Sequence, residues 1–174
     1  MPRYDLPKAA PEPLQRVQLF VNTVDLSHDR EWLSGWLEEG GVRPTEAALT
    51  RARTVREAIR ELLYENNRQP GAFDPYPVLD RAAEAARLTI DLRAQAIVAR
   101  AGGVDGALGR ILAVVFGAMR DGTWPRLKAC RNHDCRWAFY DYSRNRSASW
   151  CSMQLCGNRT KTRAYRRRHA AARG

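Results

Sequence analysis

A chain of 174 residues with 44% apolar content is long enough for one folded domain with a small module attached, and apolar enough to build a core. No apolar run approaches the ~20 residues that a bilayer-spanning helix needs, and the first residues lack the apolar stretch of a secretory signal, so a reducing cytoplasm is expected. The net charge of +10 is unevenly placed: residues 1–123 carry 16 Lys and Arg against 17 Asp and Glu, whereas residues 124–174 carry 13 against 2. A nearly neutral body therefore ends in a strongly basic segment, whose field attracts polyanions such as DNA, RNA or an anionic membrane face.

Residues 1–13 are rich in proline and predict no regular element. From Leu14 to Leu26, apolar residues recur at Leu14, Val17, Phe20, Val21 and Val24, which is helical spacing. Ser27 is a candidate cap for the next helix, with Trp32, Leu33, Trp36 and Leu37 on one face and a stop at Gly40-Gly41. Thr45 can cap a long helix that carries Leu49, Ala52, Val55, Ile59, Leu62 and Leu63 on one side and ends at Asn66-Asn67 and Pro70-Gly71. Asp74-Pro75 opens an alanine-rich helix to about Arg87.

The period then changes. Residues 88–92 and 96–99 read as two short strands around Arg93-Ala94-Gln95, a hairpin. Residues 105–120 predict a very apolar helix through Leu108, Ile111, Leu112, Val115, Phe116 and Met119, closed by Asp121-Gly122. Nothing in this body reads as an active site. There is no glycine-rich phosphate cradle, and its single histidine, His28, reads as a surface or cap residue. Glu57 and Glu61 read as exposed partners of Arg53, Arg56 and Arg60. No catalytic residue is assigned, and no enzyme activity is expected.

All four cysteines lie between positions 130 and 156, in the pattern Cys130-x4-Cys135-x15-Cys151-x4-Cys156. Zinc prefers four N or S ligands in a tetrahedron, and two close pairs joined by a fold-back segment supply it. Two disulfides are the main alternative, and a reducing compartment argues against them. His133, inside the first pair, could substitute as a ligand. The segment between the pairs predicts a hairpin, with a strand over residues 137–141, a polar turn at residues 143–147, and a return through Ser149-Trp150. A closed four-thiolate shell leaves no position for substrate, so the expected cofactor is one structural zinc.

After Cys156 and Gly157, residues 158–171 predict a helix of ~20 Å, long enough to lie in a DNA major groove. Arg159, Arg163, Arg166 and Arg167 fall near one face, and Lys161 and Arg168 on another. The planar fork of arginine suits phosphate or the edge of guanine. Asn158 could cap this helix or bond a phosphate or adenine. Arg144 and Arg146, in the polar turn, are candidate backbone-positioning contacts.

Cys156-Gly157-Asn158-Arg159, with the cysteines ahead of it and Lys161 and Tyr165-Arg-Arg-Arg after it, resembles the CGNR zinc-finger family. Residues 141–144 and Trp150-Cys151-Ser152-Met153 extend the similarity, and residues 20–23 resemble the domain that usually precedes that finger. The resemblance implies a bacterial, stress-related transcription regulator in which Cys130, Cys135, Cys151 and Cys156 ligate zinc. The expected fold is mainly α (α+β): a helical N-terminal regulatory or dimerisation domain over residues 1–123 with a small β-hairpin, plus a treble-clef-like zinc module over residues 124–174. The leading functional expectation is binding of double-stranded DNA, with a homodimer or a small-molecule effector acting through the body and no membrane association. The alternative is an RNA-binding or protein-interaction adaptor. It requires that some of Trp137, Phe139, Tyr140 and Tyr142 point outward, where they could stack on unpaired bases.

Overall fold

The computed structural model describes residues 8–26, 28–158 and 162. Among them are five α-helices: α1 (Leu14–Val21), α2 (Leu33–Glu39), α3 (Glu46–Asn66), α4 (Tyr76–Ala85) and α5 (Gly103–Asp121). Three short antiparallel pairs join them: β1 (Val24–Asp25) with β2 (Arg30–Glu31), β3 (Leu88–Asp91) with β4 (Ala96–Ala99), and β5 (Leu127–Ala129) with β6 (Ala138–Tyr140). The fold class is the mainly helical one that the sequence predicts.

Most of the predicted elements fall where the pattern puts them. The Thr45 hydroxyl accepts from the Ala48 N–H at 3.3 Å and caps α3, whose buried side carries Leu49, Ala52, Val55, Ile59, Leu62 and Leu63. The second helix begins later than predicted, at Leu33 after Trp32, because Arg30 and Glu31 are taken up by β2; Ser27, itself outside the described residues, is therefore too far away to cap it. The first helix ends at Val21, short of Val24. There the Thr23 hydroxyl donates to the Phe20 carbonyl at 2.8 Å, which offers the backbone an alternative to another turn. Val24 enters the small β1–β2 pair instead.

Leu14, Val17, Phe20 and Val21 of α1 pack with α3 and with Val104, Leu108, Ile111, Leu112 and Val115 of α5 in one core. The β3–β4 hairpin lies on α5, with Leu88 opposite Ala99 and Asp91 opposite Ala96. Gly109 makes the close approach possible, because a Cβ there would sit 2.5 Å from that of Ala86 and 2.8 Å from that of Ala99.

The core does not stop at α5. Trp124, Leu127, Ala129, Ala138 and Tyr140 belong to it, so one face of β5–β6 is part of the body's interior. The other face follows from strand alternation. Lys128 pairs in register with Phe139, and Phe139 and Trp137 pack in a second cluster with the four cysteines. This corrects the predicted hairpin. The strand over residues 138–140 pairs backward with β5 rather than forward with residues 149–150, because the apolar sides of both strands find the same core.

Candidate metal centre and nucleic-acid interface

The tip of the β5–β6 hairpin carries the first cysteine pair. Cys130 follows β5 directly and its N–H donates to the Trp137 carbonyl at 2.8 Å. The buried Asn132 builds the knuckle between the two cysteines. Its carbonyl accepts from the N–H groups of Cys135 and Arg136 at 2.9 and 3.0 Å, and its side-chain oxygen accepts from the Asp134 N–H at 3.3 Å. Of the second pair, Cys151 precedes a π-helical turn, Met153–Gly157, and Cys156 lies within it. Ser152 caps that turn: its hydroxyl accepts from Leu155 and its carbonyl from Cys156. Asn132 also ties the halves together, its amide donating to Cys156 Sγ at 3.6 Å.

The result is four buried sulfurs within 4.8 Å of one another. Cys151 Sγ lies 3.6 Å from Cys135 Sγ and 3.7 Å from Cys156 Sγ. A tetrahedron with zinc–sulfur bonds of ~2.3 Å has edges of about 3.8 Å, whereas a disulfide requires ~2.05 Å. The spacing fits the ion and not the bridges, and all four cysteines are free. The electrostatics of the thiols point the same way. Hydrogen bonds from the Cys135 and Cys151 thiols pull the Cys130 thiol well below its ordinary range, and the contact with Cys130 pushes Cys135 and Cys151 up. Sulfurs this close can all become thiolates only if a cation offsets their mutual repulsion. His133 is exposed and stands outside the sulfur cluster.

Below the sulfurs, body side chains grip the backbone of the hairpin. Asn22 acts as a ladder partner for Ala138: its side-chain oxygen accepts from the Ala138 N–H at 2.8 Å, and its amide donates to the Ala138 carbonyl at 3.0 Å. Gln18 donates to the same carbonyl at 3.1 Å. Asn66 donates to the Trp124 and Leu127 carbonyls, each at 2.9 Å. Asn67 donates to the Ala129 and Ser149 carbonyls at 2.7 and 3.0 Å, joining the segments that lead to the first and second cysteine pairs. The buried Arg60 donates to the Val21 and Arg136 carbonyls, both at 2.7 Å.

From the sequence these residues read only as helix-face or stop residues. The available signal was polar side chains, Gln18 and Asn22, inside an apolar helical stripe. Glu61 is likewise corrected. It is buried rather than exposed, accepts from the Ala72 N–H at 2.5 Å, and lies 3.7 Å from Arg136.

The loop after β6 is equally fixed. Lys128 and Asp141, both buried, pair at 2.7 Å. Lys128 also donates to the Arg146 carbonyl at 2.6 Å and to the Ala148 carbonyl at 3.3 Å. Asp141 accepts from the Ser143 and Ala148 N–H groups, each at 2.9 Å. Burial pushes the Asp141 carboxyl up, but Lys128 and the Ser143 hydrogen bonds outweigh it and hold the group at about 2. A Lys in the middle of the apolar strand Leu-Lys-Ala was the sequence signal for this pair.

Arg144 and Arg146 are exposed on this ordered loop. Asn158 is exposed with helical backbone angles, φ −67° and ψ −40°. Arg159, Lys161, Arg163, Arg166, Arg167 and Arg168 lie outside the described residues. Of the four aromatics that could have stacked on bases, Trp137, Phe139 and Tyr140 are buried. Tyr142 is 63% exposed, packs edge-on against Tyr140 and donates to the Ala9 carbonyl at 2.6 Å. No helix among the described residues is long and apolar enough to cross a membrane.

Comparison with known families agrees with this anatomy. The profile of the CGNR zinc finger matches residues 126–169. The profile of a family described as a putative stress-induced transcription regulator, ABATE, matches residues 16–137, well over half of the chain. Neither description is of an enzyme. No curated protein matches the chain.

Proposed function

The chain belongs to the ABATE family, and on that premise we propose that it is a cytoplasmic, DNA-binding transcription regulator of the bacterial stress-response type. One structural zinc, held by Cys130, Cys135, Cys151 and Cys156, presents the basic C-terminal segment to duplex DNA. The observation that carries this reading is the sulfur cluster itself, because the most cationic part of the chain begins directly after its last member, Cys156. A filled shell of four thiolates offers no open position for substrate, so the metal's task is to orient what it anchors. Arg159, Arg163, Arg166 and Arg167, with Lys161 and Arg168, are the proposed groove and phosphate contacts. Asn158, whose backbone is already helical, bonds a phosphate or adenine rather than capping the segment, and Arg144 and Arg146 fix it on the DNA backbone.

Residues 1–123 serve as the regulatory and pairing part and residues 124–174 as the reading part. Two clefts of about 680 Å3 beside α5, with Ile97 and Val114 in the wall of each, are the sites where a small effector would enter. Exposed Ile90 and Phe116, at the first of these clefts, together with exposed Leu92, supply apolar surface for a second copy. With Trp137, Phe139 and Tyr140 buried, only Tyr142 is left to stack on a base, and it is tied to the Ala9 carbonyl and Tyr140, which weighs against the RNA-adaptor alternative.

The test is selection of bound duplexes from a random pool in parallel with single-stranded RNA, followed by R163A/R166A. The expected result is an enriched duplex motif. In the variant, the slope of log K against log salt should flatten by about 0.9 for each phosphate that is no longer neutralised. Enrichment of RNA alone, or equal duplex binding by variant and parent, rejects the proposal.

A further inference from the structure

A third cleft lies at the seam between body and finger, with a volume of about 260 Å3. Arg68, Arg131 and Arg146 line it, together with Lys128, Asn145 and Ser147. No carboxylate lines it among the described residues. The carboxylate of Asp141 offsets the Lys128 charge, which leaves three arginines in the lining with no carboxylate beside them. A concave surface lined by one sign of charge attracts an anion.

At the small end of the range of ligand pockets, the cleft has room for a phosphate group with its waters. Planar guanidinium forks match phosphate oxygens in pairs.

The three arginines come from three segments. Arg68 follows α3 in the body, Arg131 stands next to Cys130, and Arg146 is in the loop that Lys128 and Asp141 order. Asn67 holds the segments together. Its amide donates to the Ala129 and Ser149 carbonyls, its own carbonyl accepts the Arg131 guanidinium at 2.9 Å, and the Arg131 N–H donates to Ser149 at 3.1 Å. Arg131 is thereby aimed by its helix partner, while among the described residues the guanidinium groups of Arg68 and Arg146 donate no hydrogen bond to the protein, which leaves their forks open for a ligand.

We propose that this seam cleft is a phosphate-binding site built from Arg68, Arg131 and Arg146, through which one arginine of the body joins two of the finger in gripping the polyanion that the finger reads. The inference rests on the DNA-binding proposal for the source of the phosphate, a backbone phosphodiester, but not for the chemistry of the cleft. Because Arg131 and Ser149 sit just beside ligand cysteines in the chain, the site's shape depends on the metal clasp.

The experiment uses the full, zinc-loaded chain with two probes. In the first arm, inorganic phosphate is titrated and the Nε–Hε signals of Arg68, Arg131 and Arg146 are followed by NMR. The expected result is a shared, saturable shift at millimolar phosphate, with the remaining Arg131 signal no longer shifting in R68Q/R146Q while zinc content and melting temperature stay unchanged. Absence of saturable shifts, or equal shifts at arginines across the surface, overturns the site. In the second arm, duplex binding by R68Q is measured against salt. A slope reduced by about 0.9 assigns the site to a backbone phosphate. An unchanged slope alongside a positive first arm overturns the polymer source in favour of a free phosphate group. If R163A/R166A binds duplex as the parent does, the reading of function fails, and the first arm still decides the cleft.

Discussion

Replacing Lys128 by Met keeps the stem of the side chain and removes the ammonium 2.7 Å from Asp141. The carboxylate is then left buried without its cation. Removing one partner of a buried pair costs about 3–5 kcal/mol. The lower end applies here, since Asp141 keeps its hydrogen bonds from the Ser143 and Ala148 N–H groups. For a chain of this size, ~3 kcal/mol lowers the melting temperature by roughly 6–12 °C. The carbonyls of Arg146 and Ala148 also lose their donor, so the loop that presents Arg144 and Arg146 loosens.

The double variant K128M/D141N separates charge from packing. An asparagine can still accept from Ser143, and its amide can reach a carbonyl that Lys128 vacates. Its cost should therefore be smaller than the sum of the single costs. Urea unfolding of zinc-loaded parent, single variants and double variant measures all four corners. A loss below about 1 kcal/mol in K128M, or additive single effects, would refute the claim that this ion pair sets the loop.

Zinc removal by a strong chelator should release one ion per chain and, through a coupling of the order of 10 kcal/mol, strip hydrogen-exchange protection from β5 and β6. Protection that survives metal loss contradicts the coupling. Asn22→Ala leaves the Ala138 N–H buried without the acceptor that lies 2.8 Å away, whereas Gln18 still serves the carbonyl. The expected loss is about 1–3 kcal/mol by chemical denaturation, and a neutral result would show that Asn22 holds nothing. For Asp141, the folded carboxyl sits at about 2 against the ordinary 3.8. Its stabilisation is therefore present above 3.8 and fades as pH falls toward 2. The 13C signal of that carboxyl should stay constant through about pH 4 in the folded protein, and a titration centred near 3.8 would disprove the pairing.

The helices were legible because their signals are local: the apolar stripe from Leu49 to Leu63 and the Thr45 cap state α3 outright. The cysteine cluster was legible because only a metal or two bridges explains four cysteines in that spacing. The partner of β6 was not legible. Strand pairing is set by where the apolar faces of Leu127, Ala129, Ala138 and Tyr140 are buried, and that core is supplied by helices as many as 120 residues away, such as Gln18 against Ala138. The roles of Asn22, Asn67 and Glu61 were hidden for the same reason. A polar residue on a helix face looks solvated until a backbone from elsewhere in the chain arrives to need it.

That last point bears on how the finger is stabilised. A zinc module of this length cannot bury enough surface by itself, and here it does not have to. The inner face of its hairpin lies in the body's core, and its outer face closes over the sulfurs. The two family profiles overlap at residues 126–137, the stretch that runs through β5 and the first knuckle. A cut at residue 123 would expose Leu127 and Tyr140 and orphan the Ala138 N–H that Asn22 satisfies. Metal and body thus stabilise the same backbone from opposite sides. Any shift of α1 or of the end of α3 must move the carbonyls of Ala129, Ala138 and Ser149 that those helices hold, and with them the turns that carry the cysteines.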